Sequence, residues 1–200
     1  MARLSISLLL LVMVSILYVC SPAESAPSSK STSATNFIKA SCKVTRYPAL
    51  CVQSLTPYGT AIQHSRKELA HTALAVSLAR AQSMKQFVTK LTKFKGLKHR
   101  EYEAIKDCAE EISDTIDQIS NSVQELKSMG RANGQDFSWH MSNVETWVSA
   151  ALTDENTCFD GFAGRAMDGR IKNSVRARVT NVAQVTSNAL ALVNQFAARH

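Results

Sequence analysis

Cysteine is the side chain whose spacing most restricts the chemistry of this 200-residue chain, which places it at positions 20, 42, 51, 108 and 158. Cys42 and Cys51 enclose eight residues, Lys43 to Leu50, with Tyr47-Pro48 at mid-loop. Proline fixes its own φ and pushes the preceding residue towards extended geometry, so a sharp reversal there lets the flanking thiols meet. Cys20 falls in an N-terminal apolar run that reads as an export signal, and its removal leaves an even four. An even set on an exported chain reads as two disulfides, although four cysteines permit three pairings. Thiols committed in this way supply no nucleophile.

Other reactive residues make no catalytic pattern. His64 and His71 lie seven apart with no third ligand at metal spacing, so a surface or core role suits them better than a metal site. Ser, His and Asp are present without a Gly-x-Ser-x-Gly turn or another nucleophile setting. Trp139 and Trp147 could stack on a sugar, but Trp147 falls on an apolar stripe and reads as core. The expectation is therefore no catalytic residue, no metal and no cofactor.

Carboxylates remain. Taking Ile112 as the centre of a buried helix face, a 100° step per residue places Glu110, Asp114, Asp117 and Asn121 roughly 140° to 200° away, with Asp107 on the same side. A charge run on a helix is ordinarily a solvated face, and composition alone gives this one no other role.

The elements that must carry these residues follow from periodicity. Arg3, the mostly apolar stretch Leu4 to Val19 and the small residues around Ala23 to Ser25 form a signal peptide over 1–25. The apolar stretch falls short of the roughly 20 residues needed to span a bilayer, so no membrane association is expected after cleavage. Residues 26–35, rich in Ser and Thr, read as a disordered lead-in. Two short helical pieces then flank Tyr47-Pro48 over 36–56, and 57–198 carries long amphipathic segments.

The first long segment runs from about Thr60 to Phe94 and stops at Gly96. The second shows Tyr102, Ile105, Ala109, Ile112, Ile116, Ile119, Val123 and Leu126 at alternating steps of three and four, and ends at Met129-Gly130. A third begins near Asp136, and a fourth carries Val175, Val179, Val182, Thr186, Ala189, Val193 and Phe196. No strand alternation appears. The fold class is all-α, an up-and-down four-helix bundle with an N-terminal helical hairpin. In that layout Cys108, near the start of the second long helix, meets Cys158, at the end of the third. On the chain-entropy model such a 51-residue loop is worth roughly 4 kcal/mol and the Cys42 to Cys51 loop roughly 3 kcal/mol.

Formal charge is +7, and losing residues 1–25 removes one charge of each sign. The excess sits late, in Arg165, Arg170, Lys172, Arg176 and Arg178, whereas the middle of the chain is acidic. Outside a cell such a balance favours weak adsorption to acidic polysaccharide. Interleaved aromatics and nucleic-acid motifs are absent, which argues against nucleic acid.

Several motifs together resemble one family, the plant invertase and pectin methylesterase inhibitors. They are Phe37-Ile38-x-x-x-Cys42-x-x-Thr45-x-Tyr47-Pro48-x-x-Cys51-x-x-x-Leu55, Tyr102 six residues before Cys108, Asp154-x-x-Thr157-Cys158-x-Asp160-Gly161-Phe162, and Ser187-Asn188-Ala189-Leu190-Ala191. The resemblance spans essentially the whole mature chain. It implies one disulfide in the hairpin, Cys42–Cys51, and one tying two bundle helices, Cys108–Cys158. It also implies a secreted, apoplastic inhibitor that binds a cell-wall enzyme one-to-one over its substrate cleft, with no enzymatic activity of its own. Partner-binding positions carried over by the motifs are Asp114 and Asp117 in the acidic stripe, flanked there by Glu110 and Asn121, together with Thr157 and Asp160. The Pro-Lys-Phe element typical of invertase inhibitors is missing between Phe159 and Lys172. That directs the expectation to pectin methylesterase, with acid invertase as the alternative target. A helical binding or signalling module without an enzyme target is the second alternative.

Overall fold

A computed structural model describes residues 29–130 and 132–199; the export signal read over 1–25 lies outside them. Helix α1, Ser29–Cys42, and helix α2, Pro48–Leu55, form the hairpin, and a 3-10 turn, Thr56–Tyr58, leads to the short α3, Gly59–Ile62. Four long helices follow: α4 Arg66–Leu91, α5 His99–Ser128, α6 Gly134–Asp160 and α7 Arg170–Ala197. The described residues contain no strand. Each long helix packs against two of the others, in the cyclic order α4, α5, α6, α7. The all-α bundle with its hairpin is thus the observed architecture.

Local chemistry sets the boundaries. Pro48 opens α2, where its missing N–H costs nothing. The Ser65 hydroxyl accepts from the Glu68 backbone N–H at the start of α4, and the Glu101 carboxylate accepts from the Lys98 backbone N–H at the start of α5. Gly130 takes φ +54 just past the end of α5, a left-handed position that glycine occupies without penalty.

Two boundaries differ from the sequence reading. Helix α1 reaches back to Ser29, through residues expected to be a disordered lead-in, because Ala34 and Ile38 are buried against the α3 turn at Gly59. A polar run with one small apolar residue hides that anchor. The segment expected to be one helix from Thr60 to Phe94 is broken at Gln63, whose φ of +49 turns the chain between α3 and α4.

Tertiary bonds hold the hairpin down. The Cys42–Cys51 bridge joins Cα atoms 5.7 Å apart. At the turn, Tyr47 N–H donates to Asn188 Oδ1 at 3.0 Å while Asn188 Nδ2 donates back to the Tyr47 carbonyl at 3.0 Å. A single amide on α7 therefore gives the Tyr47 N–H its partner and adds a second donor to the Tyr47 carbonyl, which also accepts from the Cys51 N–H at 2.9 Å at the start of α2.

The core has two apolar halves. One, around Ile38, Leu55, Leu74, Ile119, Val148 and Leu192, underlies the hairpin. The other, around Met84, Ile105, Ile112, Phe162, Val175 and Val179, surrounds the Cys108–Cys158 bridge. Between them each long helix contributes one buried polar residue: Ser77, Thr115, Glu155 and Thr186. Thr186 Oγ1 lies 2.6 Å from Glu155 Oε1, to which it donates, 2.6 Å from Ser77 Oγ and 3.0 Å from the Val182 carbonyl. Thr115 Oγ1 donates to the Ala151 carbonyl at 3.4 Å. The expected stripe on α5 is accordingly rotated. Ile105, Cys108, Ile112, Thr115, Ile119, Ser122 and Leu126 face inward, Ile116 and Val123 flank them, and Tyr102 is 41% exposed.

Candidate functional site

Rotation of α5 leaves its acidic edge outward. Glu110, Asp114, Asp117 and Asn121 are exposed along it, with Asp107 one turn before. Thr157 and Asp160 are exposed on the last turn of α6. The two sets flank one covalent point, the Cys108–Cys158 bridge, whose Cα atoms are 4.3 Å apart. No described ion pair engages Glu110, Asp114, Asp117 or Asp160. Thr157 Oγ1 donates to the Thr153 carbonyl at 3.0 Å, which fixes its rotamer and turns its lone pairs outward. Asp160 stands at the C-terminal end of α6, where the helix dipole disfavours a negative charge, so a cationic or hydrogen-bond-donating partner gains there.

Two carboxylates that were not among the predicted partner-binding residues belong to the same edge, Asp154 having entered the sequence reading only as part of a motif. Burial, then the neighbouring charges of Asp114, Asp107 and Glu110, raise the Glu111 carboxyl above its ordinary range. Asp154 is pushed up to about 6, first by burial and then by Glu111 and Asp114 across the seam between α5 and α6. Its Oδ2 is buried without a hydrogen-bond partner. Helical spacing carried a signal for both: Glu111 is three residues after Cys108 and Asp154 four before Cys158, so the bridge that joins the helices brings the two together. The stripe thus has an exposed carboxylate crest and a seam whose charge depends on pH in the mildly acidic range.

The other candidates fall elsewhere. His64 is exposed, with its Nε2 3.0 Å from Ser33 Oγ, and His71 is half-buried. Trp139 is 61% exposed with its ring edge-on to His140, and Trp147 is half-buried, short of the full core position expected. No cluster of His, Cys, Asp or Glu with metal-binding geometry occurs among the described residues. Clefts of about 540, 450 and 350 Å³ open elsewhere on the bundle, and none is lined by the six predicted partner-binding residues. An exposed edge of this kind suits contact with another macromolecule better than enclosure of a small ligand.

Fold and site together define a class: a two-disulfide, all-helical protein built around an unpaired carboxylate edge. The chain belongs to the plant invertase/pectin methylesterase inhibitor family, whose model matches residues 36–192. That family is one of inhibitors rather than enzymes. The chain is 57% identical to the 21 kDa protein of Daucus carota, over 95% of each chain. It is 55% identical to pectinesterase inhibitor 11 of Arabidopsis thaliana, over 91% of this chain and 92% of that one. Its fold is similar to a crystal structure of a mutant form of a pectin methylesterase inhibitor from Arabidopsis, with a TM-score of 0.61 at 22% identity, covering 84% of this chain and 97% of that one. No helix among the described residues is long and apolar enough to cross a membrane.

Proposed function

We propose that this protein is a secreted inhibitor of plant pectin methylesterase that binds the enzyme one-to-one, covers its substrate cleft and so limits removal of methyl esters from wall pectin. The observation that carries the reading is the edge of exposed polar side chains, Glu110, Asp114, Asp117, Asn121, Thr157 and Asp160, set on two helices locked by the Cys108–Cys158 bridge. Relatives that share more than half of their residues with the chain bear the name pectinesterase inhibitor, which favours this target over acid invertase. The signal over 1–25 directs the chain to the apoplast, where pectin and its esterases lie.

A groove built to hold a sugar chain offers hydrogen-bonding groups more than an apolar patch. Carboxylates held on rigid helices meet such groups with little ordering cost, because their backbone is already fixed. Inhibition is steric: the inhibitor occupies the cleft and performs no chemistry. Weak adsorption to acidic pectin accompanies this role through the basic residues of the opposite side.

The test is titration of purified protein against pectin methylesterase and against acid invertase, with the Asp114→Ala/Asp117→Ala variant alongside. The expected result is inhibition of pectin methylesterase alone, weakened at least tenfold in the variant at an unchanged unfolding temperature. Loss of invertase activity with untouched esterase reverses the target, and inertness against both leaves a non-inhibitory binding module. Unaltered inhibition by the variant removes these two positions from the contact surface.

A further inference from the structure

Charge in this bundle is sorted by helix. Helix α4 carries five Lys and Arg residues and one acidic residue, and α7 carries four and none. Helix α5 reverses this with eight acidic residues against three basic ones, and α6 has five acidic residues and no Lys or Arg. Because α4 and α7 are neighbours, as are α5 and α6, the molecule has a basic side and an acidic side. The edge assigned to the esterase lies on the acidic one. Contact with the esterase uses none of the basic side, where the weak adsorption to pectin has so far been given no site.

A cleft of about 450 Å³ runs along the basic side between α4 and α7, and Arg80, Ser83, Phe87, Ser174, Arg178 and Asn181 line it. The Arg178 guanidinium lies 4.1 Å from the Phe87 ring centroid. Stacking of this kind fixes the guanidinium plane and leaves its N–H edge free to grip a carboxylate by two hydrogen bonds. No described ion pair involves Arg80 or Arg178, whereas Lys172 nearby is tied to Asp168 at 2.8 Å. Along α7 the residues Arg170, Ser174 and Arg178 follow at steps of four, a single stripe about 12 Å long.

Unpaired guanidinium groups, two hydroxyls and an amide together match one ligand chemistry, a linear chain of sugars with free carboxylates. Such a chain supplies an anion and several hydroxyls at each repeat. An anionic lipid surface would want exposed apolar side chains to insert beside the cations. The large exposed apolar residues, Val44, Tyr58, Phe94, Tyr102 and Trp139, all lie off α4 and α7. Nucleic acid would want open aromatic faces, and the Phe87 face is taken by Arg178.

We propose that the cleft between α4 and α7 binds stretches of polyuronate with free carboxylates, and that the protein holds this polymer on its basic side while its acidic side engages the esterase. The polymer-binding half stands on the charge and geometry above; the joining of polymer to inhibited enzyme rests on the inhibitor reading. The esterase generates free carboxylates, so the inhibitor would be retained where the enzyme has already worked.

Retention of the full-length mature protein on immobilised polygalacturonate, compared with fully methyl-esterified polymer, tests the proposal. Retention on the free acid alone, abolished by high salt, is expected. Arg80→Gln with Arg178→Gln should weaken it about tenfold, for two lost charge-assisted contacts, with unfolding temperature and esterase inhibition unchanged. Equal retention of this variant, equal retention on the esterified polymer, or equal affinity for phosphatidylserine vesicles or duplex DNA would overturn the proposal. Esterase inhibition without retention defeats this inference alone, and retention without inhibition defeats the inhibitor reading alone. With both present, esterase should appear on the polygalacturonate column only when inhibitor is added.

Discussion

Replacing Glu155 with glutamine removes a titration from the centre of the bundle while preserving an acceptor for Thr186. Burial, more than any other cause, pushes the Glu155 carboxyl up to about 8, the Thr186 hydrogen bond pulls it back in part, and Asp154 adds to the rise. In the unfolded chain the same carboxyl titrates near 4.3. Between these limits the folded protein holds a proton that the unfolded chain has released, so stability is full below about pH 4.3 and is lost as pH rises towards 8. From pH 6 to 7.5 this single group costs about 2 kcal/mol, or about 4–8 °C of unfolding temperature in a protein of this size. Asp154, with its carboxyl near 6, is half titrated at the lower edge of that window, and its contribution is common to both proteins. Thermal unfolding followed by far-ultraviolet circular dichroism at pH 6 and pH 7.5 should show a drop in the wild type that is largely absent in Glu155→Gln. Parallel drops in the two proteins would refute a neutral, protonated Glu155 as the centre of the polar layer.

Three further outcomes follow from the described contacts. Cys108→Ala with Cys158→Ala should cost roughly 4 kcal/mol, by reopening a loop of sequence separation 50; calorimetry should show the loss of stability, with weaker inhibition only as its consequence. Asn188→Ala removes both hydrogen bonds to Tyr47 and should destabilise by about 1–3 kcal/mol, read as faster amide exchange at Tyr47. Asp154→Asn should make stability less dependent on pH between about 4 and 6, because the wild-type carboxyl titrates higher folded than unfolded and so loses stability as pH rises through that range; an unchanged profile would mean that the seam carboxyl is solvated.

The proposed contact edge sits on a stiff support. Its stiffness comes from the bridge between α5 and α6 and from side chains of the lower core half such as Ile112 and Phe162, both fully buried beneath the bridge. Such a support lets the crest carboxylates keep their spacing without an ordering cost on binding.

Much of this was legible in the order of residues. Steps of three and four marked the last three long helices to within a few positions but ran the first through the break at Gln63, Gly130 marked the end of α5, and the outward direction of Glu110, Asp114 and Asp117 followed from a 100° step. Periodicity describes one helix, however, and says which of its faces is apolar without saying what that face meets. Thr115 and Ser122 were passed over because polar residues interrupt an apolar pattern, yet each sits where α5 approaches α6 closely and its hydroxyl reaches a backbone carbonyl there. The partner of Tyr47 is 141 positions away on α7. The approach of Asp154 to Glu111, the four-residue polar layer and the division into a basic and an acidic side likewise arise only when helices are placed beside one another. Local pattern therefore determined the elements, the turns and the exposed crest. Only packing decided which carboxylates share a seam and which charges share a side, because those energies depend on distances through space between residues remote along the chain.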